Sequence, residues 1–340
     1  MVTWSLWDPD RARKDWDLLA ETASDVNAFQ AFAWGEHKRA RGWTPERWAA
    51  EDGAGRPAAL LQVLVKRLPA GQALAWAPGG PLLGLPAGNP ENAGESLESW
   101  LEARRREGPV AYTRFRPHLE HRPAAAYGLD RAFRRPFSRT SSGYTVEVDL
   151  SRPVGEILAG MPKKHRYELR RAEESGLEWR GGTRRDLAPE LDRLHREMFR
   201  AKGLGRPPVD LAGLEGLGRA FGDKAVFLAG FREGRAVTAC LALRCGARAF
   251  YIHAATGAEG RSISAAYGMV ARLLVLLQEG GVRTLDLGGV DPASPSASGV
   301  DRFKLGFGGR LVEYLGEWEW AWAAPVRWAA NAFLKARKAA

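Results

Sequence analysis

Two spacings of apolar residues alternate along this chain and predict an alternation of strands and helices. Runs in which every second residue is apolar indicate strands, and apolar residues three or four positions apart indicate helices. In the first half the pattern predicts strands at 47–51, 58–67, 73–77 and 110–116, and helices at 11–23, 34–41 and 91–107. In the second half it predicts strands at 144–149, 227–231, 236–244, 248–254 and 284–290, and helices at 162–175, 187–202 and 265–278. This order is typical of α/β layers in which helices cover a sheet.

The length of the chain favours two domains, because 340 residues are more than a typical domain with one hydrophobic core contains. The two halves share an order of elements without any sequence-identical repeat. Between them lies a basic, irregular segment at 131–140, which is the predicted crossing from one domain to the other.

The last stretch is rich in tryptophan and predicts a strand followed by a helix. Trp318, Trp320 and Trp322 are spaced by two, which indicates a strand with one aromatic face. After Pro325 come apolar residues at helical spacing and several basic ones: Val326, Ala329, Ala330 and Phe333, with Arg327, Lys335, Arg337 and Lys338. Two interpretations follow: a basic amphipathic helix resting on an anionic membrane surface, or a terminal helix packed on its own domain. Arg337 interrupts the apolar face, which favours the second.

Composition and charge narrow the class of partner. With 45% hydrophobic and 26% charged residues, the sequence is that of an ordinary globular protein and not of a disordered one. The net charge of +10 implies an anionic partner, since such a field attracts polyanions and membrane surfaces. Nucleic acid, acidic lipid and a diphosphate ligand all fit this charge.

The cysteines, the first residues and the lengths of the apolar runs predict a protein of the cytoplasm, with a peripheral position at the inner face of the membrane as a further option, and we expect a monomer. Cys240 and Cys245 are the only cysteines and lie in an apolar, strand-like run, so we expect buried free thiols. The first nine residues turn polar too soon for a signal peptide. The apolar run 273–277 is much shorter than a membrane span.

One lysine stands in a sequence context that suits chemistry. The strand 284–290 ends in glycines, and the stretch 301–309 places Lys304 in a predicted glycine-jointed aromatic turn. Glycines let a ligand approach the backbone and aromatic side chains exclude water, so the ammonium would point into a partly dry site. A fixed cation there suits a phosphate or a developing oxyanion. The alternative is a surface lysine in a β-hairpin.

Three blocks of sequence contain motifs that occur together in one protein family. The most specific block combines Asp-Leu-Gly-Gly at 286–289, Phe-Lys-x-x-Phe-Gly-Gly at 303–309 and Val-Glu-Tyr-Leu-Gly at 312–316. The other two blocks are 29–38 with Gly42-Trp43, and 145–151 with 166–172 and Gly176. In content and order these blocks resemble the Fem family, the aminoacyl-tRNA-dependent transferases that build peptidoglycan cross-bridges, and together they extend over nearly the whole chain.

The resemblance implies an α/β (α+β) fold of two acetyltransferase-like (GNAT-type) domains that face each other across a cleft. Domain one would take residues 1–143, completed by C-terminal elements at about 317–340. Domain two would take residues 144–316. Some relatives carry a coiled-coil arm in domain two, but here helix 187–202 leads straight into Gly203 and two prolines, so no arm is expected.

The reaction that the resemblance implies is amide formation without a metal or other cofactor. An amine of the peptidoglycan stem peptide attacks the ester that joins an amino acid to tRNA. Lys304 matches the family lysine that stabilises charge on this ester, with Phe303 beside it. Tyr251 stands where a site tyrosine is found. Arg116 stands where the family has an aspartate before a proline, so the sequence does not identify a general base.

Further matches concern the two substrates. Lys38, next to Trp34, matches the basic residue that contacts the phosphates of the precursor, which is either lipid II or UDP-MurNAc-pentapeptide. Arg206 matches a second phosphate-binding arginine, although Asp210 stands where a tyrosine follows in the family. On the donor side, the basic residues of helix 162–175 would bind the phosphates of aminoacyl-tRNA. The alternative is that they form a solvated helix face without a partner. The candidate residues are Arg166, Arg170 and Arg171.

Two other functions are compatible with the sequence. Acyl-CoA N-acyltransferases share the fold and hold the pyrophosphate on a glycine-rich loop at a helix N-terminus. The matching segment here is 261–266, where a serine replaces the first glycine. The second alternative is a basic RNA- or membrane-binding protein on the same scaffold, without catalysis.

Overall fold

The strands of this protein form two separate mixed sheets. A computed structural model describes residues 2–68, 71–121, 127–295 and 298–339. The chain divides into unit 1, residues 1–143 with 313–340, and unit 2, residues 144–312. The strands are β1 (Thr3–Leu6), β2 (Thr44–Glu51), β3 (Pro57–Arg67), β4 (Ala73–Gly79), β5 (Val110–Pro117), β6 (Tyr144–Asp149), β7 (Glu178–Gly182), β8 (Ala225–Arg232), β9 (Arg235–Cys245), β10 (Arg248–Thr256), β11 (Thr284–Val290), β12 (Arg310–Glu313) and β13 (Trp318–Ala321).

Helices of very different length connect these strands. They are α1 (Pro9–Ala20), α2 (Phe32–Arg39), α3 (Ala93–Arg106), α4 (Val154–Ala159), α5 (Lys163–Glu174), α6 (Ala188–Ala201), α7 (Leu211–Phe221), α8 (Ala258–Ser262), α9 (Ala265–Glu279), α10 (Ser298–Leu305) and α11 (Ala324–Ala339). No helix among the described residues is long and apolar enough to cross a membrane.

The sheet of unit 1 is completed by the end of the chain. Its strand order is β1-β2-β3-β4-β5-β13, and β4 and β5 form the parallel pair. The late strand β13 pairs antiparallel with β5, so that Trp318 lies opposite Phe115. Both side chains are buried in the core of this unit. The predicted aromatic strand is therefore confirmed for Trp318 and Trp320, whereas Trp322 lies beyond it.

The sheet of unit 2 contains a parallel pair that opens toward one end. Its strand order is β12-β6-β11-β10-β9-β8-β7. The parallel strands β10 and β11 pair only from Arg248↔Thr284 to Phe250↔Asp286, although both continue beyond that point. Irregularities in the neighbouring ladders lie at the same level, between Tyr251 and His253 and between Asp286 and Gly289. Beyond this level β10 and β11 are therefore no longer paired with each other, although each resumes pairing with its other neighbour.

The strongly periodic elements lie where the sequence predicts them, and the differences have local causes. The strands β1, β7 and β12 and the helices α7, α8 and α10 were not predicted. The turn predicted around Lys304 is wrong, because 298–305 is helical and the glycine-jointed turn begins only at Gly306. The stretch from Val300 to Leu305 contains no glycine or proline, so nothing in it opposes a helix. Cys240 and Cys245 are buried free thiols, as expected.

Candidate active site

Lys304 lies in the last turn of α10, next to the open end of β11. Its Nζ donates to the carbonyl of Gly289 at 2.8 Å. An ammonium group carries three N–H donors, so two remain for other acceptors. The helix thus holds one cation at the place where β11 leaves its regular pairing.

A glycine between Lys304 and β10 makes this arrangement possible. Gly288 has φ +79°, and a Cβ there would lie 3.2 Å from the carbonyl oxygen of Tyr251 and 3.6 Å from Lys304 Nζ. Any other residue would be strained and crowded at this position. The structure therefore brings Lys304 and the backbone of Tyr251 to the same glycine. The Tyr251 side chain packs against the core, and burial raises the pKa of its hydroxyl well above the usual range.

Asp286, which sequence reasoning missed, organises the backbone beneath Lys304. Its buried carboxylate accepts hydrogen bonds from Thr145 Oγ1 and, at 2.7 Å, from the N–H of Gly288. Burial raises the pKa of Asp286, and these two hydrogen bonds oppose that rise. Burial lowers the pKa of Lys304, while the carboxylates of Asp286 and Asp301 favour its charged form. The result is a partly dehydrated cation with two carboxylates nearby.

Aromatic side chains fix the end of α10. Phe303 contacts Tyr267 and Phe307, with ring centroids 5.0 Å and 5.1 Å away. His165 Nε2 lies 3.1 Å from the carbonyl oxygen of Phe303. Its ring fills the space above Gly306, where a Cβ would be 1.8 Å from Nε2. Phe303 thus belongs to a packed cluster that orients the neighbouring Lys304.

His165 could have been found from its spacing. Met161, His165, Leu169 and Ala172 recur at helical intervals and are all buried. A histidine inside such a stripe faces the interior, where its ring nitrogens need partners. The basic residues around it hide this signal in the sequence.

The N-terminus of α9 is faced by a carboxylate of the protein itself. Ser264, the residue before the helix, has φ 60° and donates from Oγ to Glu168 at 2.5 Å. Arg171 lies 3.9 Å from Glu168 and also donates to the carbonyl of Ser262. This is the segment that matches the pyrophosphate-binding loop of acyl-CoA enzymes. A diphosphate here would meet the negative charge of Glu168.

The three predicted tRNA-binding residues differ in their surroundings. Arg166 donates to the carbonyl of Ala159 at 3.1 Å, and Arg171 is engaged with Glu168 and Ser262. Arg170 is exposed on the same helix. Tyr167, between them, is 61% exposed. The helix α5 therefore presents a basic surface with an aromatic residue at its centre.

In unit 1, Lys38 rests on Trp34. Its Nζ lies 4.7 Å from the centroid of the indole ring. Burial, together with the positive charge of Arg41, lowers the pKa of Lys38 from 10.5 to about 8. Within the part of the chain that the structure describes, no carboxylate lies within ion-pair distance of Lys38. Binding an anion would stabilise the charged form of such a half-buried lysine.

Trp34 begins a row of aromatic rings in unit 1. Phe29 packs edge-on against Trp34 at 4.9 Å, His118 lies 6.4 Å from Phe29, and Tyr314 stacks on His118 at 4.3 Å. The Arg116 guanidinium lies 5.5 Å from the Phe29 centroid. Arg116, which stands where the family has an aspartate, therefore places a positive charge beside this row of rings.

Arg206 makes no hydrogen bond or ion pair with Lys304 among the described residues. It is exposed in the segment between α6 and α7. Asp210, which stands where a tyrosine was expected, accepts from the N–H of Gly213 at 2.9 Å and caps α7. Within the described ranges, no group of three or more His, Cys, Asp or Glu side chains is placed to hold a metal ion.

Comparisons with known proteins bear on the fold. Residues 161–305 match the family described as Acetyltransferase (GNAT) domain. The crystal structure of FemX superposes with a TM-score of 0.77 at 15% identity, over 93% of this chain and 97% of that one. No curated protein matches the sequence.

Two further solved structures share the fold. One is a tandem GNAT protein from the clavulanic acid biosynthesis pathway, with TM-score 0.55, 15% identity and coverage of 94% and 98%. The other is the C-terminal domain of a putative lysylphosphatidylglycerol synthetase from Agrobacterium fabrum, with TM-score 0.56, 14% identity and coverage of 96% and 96%. Identities this low show a shared fold. The predicted fold class, α/β with two acetyltransferase-like domains, is confirmed, and the described residues of α6 and α7 form two short helices and no coiled-coil arm.

Proposed function

We propose that this protein is an aminoacyltransferase of the Fem type, which moves an amino acid from aminoacyl-tRNA to an amine of a peptidoglycan precursor. The observation that carries the proposal is the position of Lys304, a partly dehydrated ammonium fixed at the open end of a parallel strand pair. The match of 161–305 to GNAT acetyltransferases and the FemX-like fold support acyl transfer as the reaction class.

The chemistry requires alignment and charge stabilisation. The amine nitrogen attacks the ester carbonyl carbon, and the bond to the ribose oxygen breaks as the amide forms. Negative charge develops first on the carbonyl oxygen and then on the leaving oxygen, which takes up the proton that the amine releases. The two N–H groups of Lys304 that are not bound to Gly289 suit either oxygen. Asp286 favours the charged form of the ammonium against the effect of burial, and it holds the adjoining backbone.

Lys38 and Trp34 would bind the acceptor. A phosphate on Lys38 would replace the water that burial has partly removed, and Trp34 offers a flat surface beside it. Arg116 extends the cationic surface along the same aromatic row. Because no carboxylate stands at this position, we infer that the incoming amine loses its proton to water or to the substrate.

Acyl-CoA acyl transfer is the alternative that the GNAT match favours. Against it stands the contact between Glu168 and Ser264 at the N-terminus of α9. Isothermal titration with acetyl-CoA tests this point directly. We expect no binding in the micromolar range, and micromolar binding would favour the alternative.

The decisive experiment offers the protein charged tRNA and UDP-MurNAc-pentapeptide, followed by mass spectrometry of the precursor. We expect a mass gain of one aminoacyl residue that depends on Lys304. The matched control is Lys202→Met, which removes an exposed lysine of the same unit. A parallel reaction with phosphatidylglycerol vesicles separates a lipid acceptor from the precursor. Product on the lipid alone would contradict the proposed acceptor.

A basic binding protein without catalysis makes the opposite prediction. It would bind tRNA and precursor without any mass gain, and Lys304→Met would change nothing. Turnover by the wild-type protein together with its loss in Lys304→Met excludes this possibility.

A further inference from the structure

The C-terminal helix α11 turns its polar side inward. Arg327 Nε donates to Glu319 at 2.6 Å, and Asn331 Nδ2 donates to the same carboxylate at 3.0 and 2.8 Å. The Glu319 side chain is 0% exposed. Asn331 also accepts from the N–H of Ser138 at 3.0 Å. Buried hydrogen bonds thus anchor this helix to unit 1.

The outward side of α11 is apolar. Trp328 is 63% exposed and Phe333 is 59% exposed. The outer arc between them contains exposed alanines, namely Ala329, Ala332 and Ala336. Ordinary surface helices show the reverse order, with apolar residues facing the core. Here the two large aromatic residues lie on the surface of the unit instead.

Two more aromatic residues are exposed, one beside Trp328 and one just before α11 in the sequence. Trp322, just before the helix, is 61% exposed. Phe137 is 48% exposed, and its ring centroid lies 4.4 Å from that of Trp328. We define Phe137, Trp322, Trp328 and Phe333 as the α11 aromatic patch. Proteins rarely expose several large aromatics together unless the surface binds something.

The charge around the patch indicates which partner it fits. From Trp320 onward the sequence contains no acidic residue, and besides Arg327, which is bound to Glu319, it contains three basic residues, Lys335, Arg337 and Lys338. Lys335 is exposed on α11, while the side chains of Arg337 and Lys338 lie outside the described residues. Tryptophan and phenylalanine suit the boundary between lipid headgroups and acyl chains, and lysine and arginine attract anionic headgroups.

We propose that the α11 aromatic patch docks this protein onto an anionic lipid bilayer surface, with the aromatic rings inserted and the basic residues on the headgroups. The sequence alone favoured the packed terminal helix. The structure keeps that packing through Glu319 and adds an apolar face directed outward. This inference does not depend on the transfer reaction, which is assayed with a precursor in solution.

The test is co-sedimentation of the full chain with phosphatidylcholine vesicles, with and without phosphatidylglycerol. We expect binding to the anionic vesicles that weakens with salt. Replacing both Trp328 and Phe333 by alanine should lower the partition coefficient at least about tenfold, because two large apolar side chains are removed. Lys335→Glu should lower it at least about fivefold. The control is Leu18→Ala, which removes a 69% exposed apolar side chain of the same unit and should change nothing.

Several results would overturn the proposal. These are absence of binding, equal binding to neutral and anionic vesicles, and unchanged binding of the double variant. A wild-type dimer that dissociates in the double variant and ignores vesicles would identify a second copy of the chain as the occupant. The anchoring contacts of Arg327 and Asn331 are untouched in these variants, and circular dichroism checks their folding. Lys335→Glu keeps the test valid if the double variant does not fold.

Discussion

If Lys38 binds the phosphates of the precursor as a cation, affinity should fall as the pH rises through the pKa of this residue. Its pKa in the free protein is about 8, lowered from 10.5 mainly by burial. About nine-tenths of Lys38 is protonated at pH 7 and about one-tenth at pH 9. Affinity for the diphosphate should therefore drop about tenfold between these values.

The variant that isolates this effect is Lys38→Arg. A guanidinium stays charged throughout this range and can stack on Trp34 as the lysine does. Its affinity for the precursor should therefore be independent of pH from 7 to 9. Lys38→Ala should bind more weakly at pH 7, by about 1.5–3 kcal/mol, because alanine cannot make the charge-assisted hydrogen bond to a phosphate.

The assay is isothermal titration of UDP-MurNAc-pentapeptide at pH 7, 8 and 9, in two buffers with different ionisation enthalpies. A phosphate that contacts Lys38 raises its pKa, so binding at pH 8 should take up about half a proton from the buffer. Lys38→Arg should take up none. A flat wild-type profile, or the same pH dependence in Lys38→Arg, would refute the assigned role.

Three other predictions concern unit 2. Lys304→Met should lower kcat about a hundredfold to a thousandfold with precursor affinity nearly unchanged, and steady-state kinetics with unchanged kcat would remove its catalytic role. Asp286→Asn removes a carboxylate that favours the charged form of Lys304, so the pKa of Lys304 should fall further. Since the cation is the active form, the alkaline loss of kcat/KM should begin at lower pH, and a pH profile that does not move would contradict this coupling. Neutralising Arg166, Arg170 and Arg171 together should lower the slope of log affinity for tRNA against log salt by roughly 0.7 to 0.9 for each phosphate that is no longer bound, and an unchanged slope would assign these residues to a solvated helix face.

Local sequence determined most of the secondary structure of this protein. Alternation of apolar residues predicted β11 and β13, and helical spacing predicted α5 and α9, because the side-chain periods of strands and helices differ. Short or weakly periodic elements such as β1 and β7 carry too few residues to show a period. The resemblance to the Fem family, carried by its motifs, predicted the fold class and singled out Lys304 and Lys38.

Tertiary structure alone decided which groups surround these residues. Thr145 and Asp286 are far apart in the sequence and meet because β6 and β11 are paired. Glu168 reaches Ser264 only through the placement of α5 beside α9. Pairings of this kind leave no local pattern, since they depend on which elements share a sheet or a face.

The orientation of α11 shows most clearly which features the sequence predicted and which the tertiary structure decided. The sequence predicted a helix with apolar and basic residues, and two orientations were compatible with it. The orientation was decided by Glu319, a buried carboxylate that requires hydrogen-bond donors and finds them in Arg327 and Asn331. Satisfying that one charge turns the polar side of the helix inward and leaves Trp328 on the surface, because the two sides of a helix cannot both face the core.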